Sequence, residues 1–513
     1  MSDADFQLNR RKLLQAGLAG GLVGHLAARA NEVEARAEDR PKLADKTNVI
    51  TRENAKPGTR DWQLTYTRVD PATKYRCPWI EGFVSQSTAA AGDELQLFVS
   101  TNPAAEFQVD IFRLGYYGGL GARRIQTLGP FAGKTQPDPP VGPHRLRECH
   151  WESATTIKIA ADWPSGVYLG KLSLAGTGRY QSYVVFIVRD DRPADIVFQC
   201  SDHTWQAYNR WPDNYSLYDD GVTQWSLGGE TRVSFDRPYG KYCQVVDAPL
   251  SQGSGEFLLW EFPFAFWLEQ HGYDVSYVGN SDVHRSADSI TRGRVLLSVG
   301  HDEYWSLEQY AHVKQAIEKG LSVGFFSGNT CAFVTPVSPS SAGTPRRVIT
   351  RAGRYGGLME VEKGRMGPFS IDGPNENLLI GARTISPFNG SGDWIVSRPD
   401  HWLFAKTGMK QGEGIAGLVG WEFHGDPAKI PGLLVVAEGE TLNGGGKPAH
   451  WTATVYPGPK DNWVFNASTI YWAQGLSSPP GHVLPFAHYG RPHGPDPRVQ
   501  QITRNFLAKC GVQ

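Results

Sequence analysis

With 513 residues, 40% of them apolar and 20% charged, the chain is too long for one ordinary core and too apolar for a disordered segment. Its 51 Lys and Arg against 52 Asp and Glu leave a formal net charge of −1, which excludes an electrostatic pull toward nucleic acid or an anionic membrane. The six cysteines lie far apart with no CxxC pair, which argues against a zinc knuckle. Their even count permits disulfides, and Cys77 with Cys149 is one candidate pair.

The first 30 residues contain paired Arg10 and Arg11, a stretch without Lys, Arg, Asp or Glu from Leu13 to Ala28, and the small-residue site Ala28-Arg29-Ala30. This pattern predicts a twin-arginine export signal cleaved after Ala30. It is too short and too rich in Gly to hold the chain in a membrane, which needs about 20 apolar residues. The expected destination is the periplasm or beyond. That route carries proteins already folded, often with a cofactor loaded. Residues 31–72 are polar and charged and read as a solvated tether.

From 73 to 190 the pattern alternates. ELQLFVST, FQVDIFRL, TIKIAADW, GVYLGKLSLAG and YQSYVVFIV, separated by Gly, Pro and Asn, predict short antiparallel strands in a β-sandwich of immunoglobulin-like type. The aromatic GYYGG at 115–119 reads as a turn that needs glycine. ADIVFQC then begins a region of continuous apolar strands, which indicates burial on both faces. EFLLWEFPFAFWLEQHG reads as a helix, GYDVSYVG and RVLLSVG as strands, SLEQYAHVKQAIEKG as an amphipathic helix and LSVGFFSG as the next strand. The βαβαβ order predicts a doubly wound α/β domain over 191–513, with a β insertion around 340–460 and a last helix over 496–509.

Reactive groups in such folds gather at the carboxyl ends of parallel strands. Three stretches fall there: CSDHTWQAYNRW, GHDEYWS and FSGNTCAF. His301, Asp302, Glu303 and Tyr304 arrive together after RVLLSVG. Phenol and carboxylate oxygens suit a Lewis-acidic metal, and an imidazole suits proton transfer. Asp302 or Ser306 is expected to cap the following helix. Asn329 is a candidate polar site residue. Cys331 is a candidate nucleophile if one of His203, His301, His424 or His450 reaches it. DHTWQAYNRWPDNYSLY reads as an aromatic wall or a self-packed loop.

WEFPFAFWLEQHGYDVSYV, LLSVGHDEYWS, FFSGNTC, GLVGWEF and WVFNASTIYWAQGL together resemble, in order, the large (β) subunit of N,N-dimethylformamidase and its relatives over about 195–510. The resemblance implies a class-I glutamine-amidotransferase-like domain without the usual Cys triad. It also implies amide hydrolysis at a mononuclear ferric iron held by two Tyr phenolates and a Glu. Tyr304 and Glu422 fall on two of those ligand positions, with His301 and Glu303 for proton handling and Asn329 for orienting substrate. The second tyrosine falls at Phe262, in WEFP, and Phe cannot bind a metal. Tyr208, Tyr273 or Tyr277 would then supply the phenolate, or the iron site is lost.

The expected activity is hydrolysis of a small linear amide, with a small subunit or a second copy as the expected partner. Two other readings stand beside it. One is a secreted protein that binds a ligand such as a sugar or peptide in a degenerate site; the other is an amidase that uses Cys331.

Overall fold

The computed structural model describes residues 47–512 apart from 69, 74, 177–179, 224, 225, 227, 229, 230, 241–256, 357–370, 385–389, 443–445 and 484–493. The expected leader, the first part of the expected tether and Cys243 lie outside the described residues.

The segment 47–72 is not a solvated tether. Asn48 caps helix α1 (Val49–Asn54) by accepting the Thr51 N–H at 2.8 Å, and Ile50 and Trp62 are fully buried. The Lys171 ammonium donates to the carbonyls of Asp61 and Gln63 at 2.7 and 2.8 Å. Polar composition suggested exposure, but two large apolar side chains and a capped turn are enough to dock the segment.

Strands β1 (Ile80–Val84), β2 (Thr88–Ala89), β3 (Glu94–Thr101), β4 (Glu106–Leu114), β5 (Ala122–Ala132), β6 (Ser153–Lys158), β7 (Gly166–Leu174) and β8 (Gln181–Val188) form two sheets, ordered β1-β3-β6 and β2-β8-β7-β4-β5. Every pairing is antiparallel except β2 with β8. Leu95, Leu97 and Val99 of one sheet share a core with Val109, Ile111, Leu172 and Phe186 of the other. Yet β8 is buried at all eight positions, because its other face is covered too. Phe112, Leu169, Val185 and Ile187 belong to a second core with Ile196, Phe262, Phe266 and Trp267. A buried ion pair, Arg113 to Glu269 at 2.8 Å, crosses the same junction. Residues 46–513 accordingly form one unit by contact. Cys149 is in no disulfide, so the pair with Cys77 is not made; its apolar neighbours include Trp151 and Trp211.

β9 (Ala194–Cys200), β10 (Val275–Gly279), β11 (Gly293–Gly300), β12 (Ser322–Ser327), β13 (Gly390–Ile395), β14 (Gly414–Trp421), β15 (Leu434–Leu442), β16 (Pro448–Pro457) and β17 (Trp463–Asn466) make one nine-stranded sheet. Its order is β10-β9-β11-β12-β17-β16-β15-β13-β14. The first five strands are parallel and the remaining pairings antiparallel. The expected β insertion is divided: β13 to β16 extend the main sheet, while Val348–Thr350, Gly353–Tyr355, Ile371–Gly373 and Ala382–Thr384 pair in smaller sheets outside it. Helix α2 (Asp202–Ala207) follows β9, α3 (Phe262–Gln270) precedes β10, α4 (Asn280–Arg285) follows it, and α5 (Leu307–Lys319) lies between β11 and β12. Ser306 caps α5, accepting the Gln309 N–H at 3.0 Å. The last helix, α6 (Pro497–Lys509), has Asp496 as its cap.

Candidate active site

Four loops meet at the carboxyl ends of β9, β11, β12 and β17. The turn out of β11 is possible because Gly300 has φ +71, and a Cβ there would lie 2.6 Å from that of Trp260. At the end of β12, a Cβ on Gly328 would sit 2.1 Å from the Glu422 carbonyl oxygen. That glycine lets the β14 end approach, and so brings Glu422 to the HDEY cluster. Asn329 and Cys331 follow with φ of +53 and +54, a conformation that costs a non-glycine residue about 1–3 kcal/mol and that clusters at functional sites.

The centre of the cluster is a triangle of oxygens. The Tyr208 hydroxyl donates to Glu303 Oε2 at 2.7 Å, and the Tyr218 hydroxyl donates to Tyr208 Oη at 2.7 Å and to Glu303 Oε2 at 3.1 Å. All three residues are buried. Burial first, and then the neighbouring Glu303 carboxylate, push both phenols well above their ordinary pKa. Three hard donors on a cation at about 2.0–2.1 Å with right angles between them need edges of about 2.8–3.0 Å. The triangle is of that size.

Beside it, His301 Nε2 lies 2.8 Å from Glu422 Oε2 and 3.4 Å from Glu303 Oε2. One donor atom from each of His301, Glu303 and Glu422 falls within 4.8 Å of the others, so these groups too can share a cation or a proton. Asn329 Nδ2 is 3.4 Å from Glu303 Oε1, while its buried Oδ1 has no hydrogen-bond partner among the described residues. The Glu303 N–H donates to Thr204 Oγ1 at 3.1 Å, which ties α2 to the cluster.

The expected residues thus take different places. His301, Glu303, Asn329 and Glu422 come together. Tyr304 is packed against them, but its hydroxyl faces Arg351 Nη1 at 3.4 Å, and its ring stands edge-on to Tyr208 and Tyr218. Burial raises its phenol as well. Tyr208 and Tyr218, not Tyr304, are the phenols that hydrogen-bond to Glu303.

Phe262 lies in the apolar core, with ring centroids 5.8 Å from Trp62 and Phe257 and 5.9 Å from Phe266. Of the other phenols considered, Tyr277 donates to Glu269 and Tyr273 packs on Trp267, both away from the cluster; Tyr208 is in it.

Asp302 is not a helix cap. It accepts from Gln199, Ser298 and Asn280, and burial raises its pKa. The Cys331 thiol is pushed far up by burial and by Glu376 and Asp302, the opposite of what a nucleophile needs. His424 is locked neutral: its Nε2 accepts the Thr330 N–H at 3.2 Å, Nδ1 faces Asn466 Oδ1 at 2.8 Å, and burial lowers its pKa to about 4. His203 is occupied with Ser281 Oγ, and His450 is half-exposed beside Glu438. A buried thiol raised in this way, with His203, His424 and His450 engaged elsewhere, does not suit Cys331 to nucleophilic attack.

Sequence reasoning missed Tyr218 and Arg351. The first sat inside the aromatic stretch DHTWQAYNRWPDNYSLY, ten residues after Tyr208, with no motif to separate it from Tyr215. The second lies between the matching motifs FFSGNTC and GLVGWEF, in a stretch that no motif marks. Its guanidinium stands 4.8 Å over the Tyr218 ring and donates to the carbonyls of Leu217, Ser226 and Gly228.

A family profile described as N,N-dimethylformamidase beta subunit-like, C-terminal, matches residues 108–487, more than half of the chain. No curated protein matches it.

Proposed function

The chain belongs to the N,N-dimethylformamidase beta subunit-like family, and from that premise we propose that it hydrolyses the C–N bond of small linear amides at a single metal ion, iron by analogy with the family. The observation that carries the reading is the triangle of Tyr208, Tyr218 and Glu303 oxygens beside the His301–Glu422 pair. Two phenolates and a carboxylate, all hard and anionic once the phenols give up their protons, suit a ferric ion. Such an ion supplies Lewis acidity, drawing electron density from the amide carbonyl oxygen.

The remaining work falls to the chain. His301, held by Glu422 at 2.8 Å, is placed to take a proton from the attacking water and to return one to the departing nitrogen. Water adds to the carbonyl carbon, the C–N bond breaks, and a carboxylic acid and an amine leave. The free Asn329 Oδ1 is an acceptor for a substrate N–H, and the surrounding aromatic rings exclude bulk water.

The glutamine-amidotransferase-like architecture is part of the same proposal, supported by five parallel strands with the site at their carboxyl edge. So is export by the twin-arginine route, supported by Arg10, Arg11 and the uncharged stretch after them. The non-catalytic reading leaned on Phe262, which belongs to the core, so that support is gone.

The test is metal analysis of the purified chain beside a screen of formamides and other small amides for amine release. About one iron per chain, lost in Glu303→Gln together with hydrolysis, is expected. A wild-type chain that neither retains metal nor turns over any amide after ferric reconstitution refutes the proposal.

A further inference from the structure

Tyr208 and Tyr218 lie ten residues apart on a loop without strand or helix after α2, yet their hydroxyls meet at 2.7 Å. Something must set that distance. Arg237, which is 1% exposed, lies against this loop and spends all five N–H donors on backbone carbonyls. Nη1 donates to Trp211 and Tyr215 at 2.8 and 2.9 Å, Nη2 to Gln206 and Asn209 at 3.3 and 2.9 Å, and Nε to Ser234 at 3.1 Å. Three of these five carbonyls belong to the loop, and a fourth, that of Gln206, to the last turn of α2 just before it. They flank Tyr208 on both sides and end three residues before Tyr218.

No carboxylate among the described residues forms an ion pair with Arg237. A buried cation held only by carbonyl dipoles is a costly way to pack a loop. What it provides is a rigid planar fork that fixes four carbonyls relative to one another. Asn209 adds a second brace, its Oδ1 accepting from the N–H groups of Trp211 and Gly240 at 3.1 and 2.8 Å.

We propose that Arg237 is a positioning residue: by gathering the carbonyls of Gln206, Asn209, Trp211 and Tyr215 it sets the spacing of the two phenols and preorganises the cation site. This rests on the reading of Tyr208 and Tyr218 as metal donors. Arg237 touches neither the metal nor the substrate and acts through the loop.

The experiment compares full-length wild type with Arg237→Lys, Arg237→Gln and the control Arg347→Lys. Arg347 is also buried, but it pairs with Asp236 at 2.8 Å and donates to the Val84 carbonyl, outside the loop. Two measurements are made on each: ferric affinity with the tyrosinate-to-iron charge-transfer band, and hydrogen exchange along 206–218. Both Arg237 variants should lose about 10–100-fold in affinity, with a weakened or shifted band and faster exchange confined to 206–218. Arg347→Lys should keep the wild-type band. Folded Arg237 variants with wild-type affinity and band, or an equal loss in Arg347→Lys, overturn the proposal.

If wild type binds no iron, the functional reading fails while the exchange measurement still decides the role of Arg237. If neither variant folds, exchange in wild type decides: the amides of 206–218 must be as protected as a core element, and exchange at the rate of a frayed surface loop overturns the proposal.

Discussion

Replacing Tyr218 by Phe should halve the pH response of cation binding. In the metal-free protein both phenols of the triangle are protonated across the neutral range, because burial and then Glu303 raise their pKa values. A cation held by both must expel two protons. Each proton released makes the affinity rise tenfold per pH unit, about 1.4 kcal/mol, so wild type should gain about 100-fold per unit between pH 6 and 8. The sign follows from the raised pKa: the proton competes with the metal, and the competition weakens as pH rises.

Tyr218→Phe leaves one phenol, and the slope should fall to about tenfold per unit. The variant also loses the hydroxyl that donates to Tyr208 and Glu303, at a cost of about 1–3 kcal/mol in the stability of the metal-free protein. The assay is a ferric titration at a free-ion activity held by a competing chelator, followed by the charge-transfer band at pH 6, 7 and 8. A slope near zero in wild type, or the same slope in wild type and variant, refutes the two-phenol site.

Three further outcomes are expected. His301→Gln should retain its iron but lose about 10²–10⁴-fold in turnover, with Glu422→Gln moving the same way; full activity in His301→Gln would remove the imidazole from the proton path. Phe262→Tyr should bind no additional metal and should cost about 1–3 kcal/mol in stability, because its hydroxyl enters a core of Trp62, Phe257 and Phe266; a gain in iron would make position 262 a ligand site after all. The Asp202 carboxyl is raised by burial to about 7, so the fold is most favoured with it protonated, and that contribution is lost as pH climbs from about 4 through 7. Asp202→Asn keeps an acceptor for the Asn280 N–H and should stabilise the protein at pH 8, by a few kcal/mol at most, while changing little at pH 4; denaturation midpoints at the two pH values decide it.

Much of the element order was legible. Strands such as Glu94–Thr101 and Ala194–Cys200 fall where alternation or a continuous apolar run marked them, and helix Leu307–Lys319 falls where the 3.6-residue period did. Both periods are local properties of the chain. Segment 47–72 was misread because exposure was inferred from composition, while docking depends on a few large side chains such as Trp62. Of the two residues expected to cap the next helix, Ser306 does so and Asp302 does not, because Asp302 is drawn into buried hydrogen bonds. Its real partners, Gln199, Ser298 and Asn280, come from three neighbouring strand ends.

The sequence by itself determined the family and the loops of the candidate site: GHDEYWS, FSGNTC and GWEF are contiguous strings, and their residues do converge. It also marked His301, Glu303, Asn329 and Glu422. Only the tertiary structure decided which phenols join them. Phe262 is drawn into the core by the rings around it, while Tyr208 and Tyr218 are turned inward by a loop wound on Arg237. The physical reason is that a three-point donor set depends on distances between loops far apart in the chain, and those distances are set by close approaches such as Gly328 against Glu422, which no local pattern records.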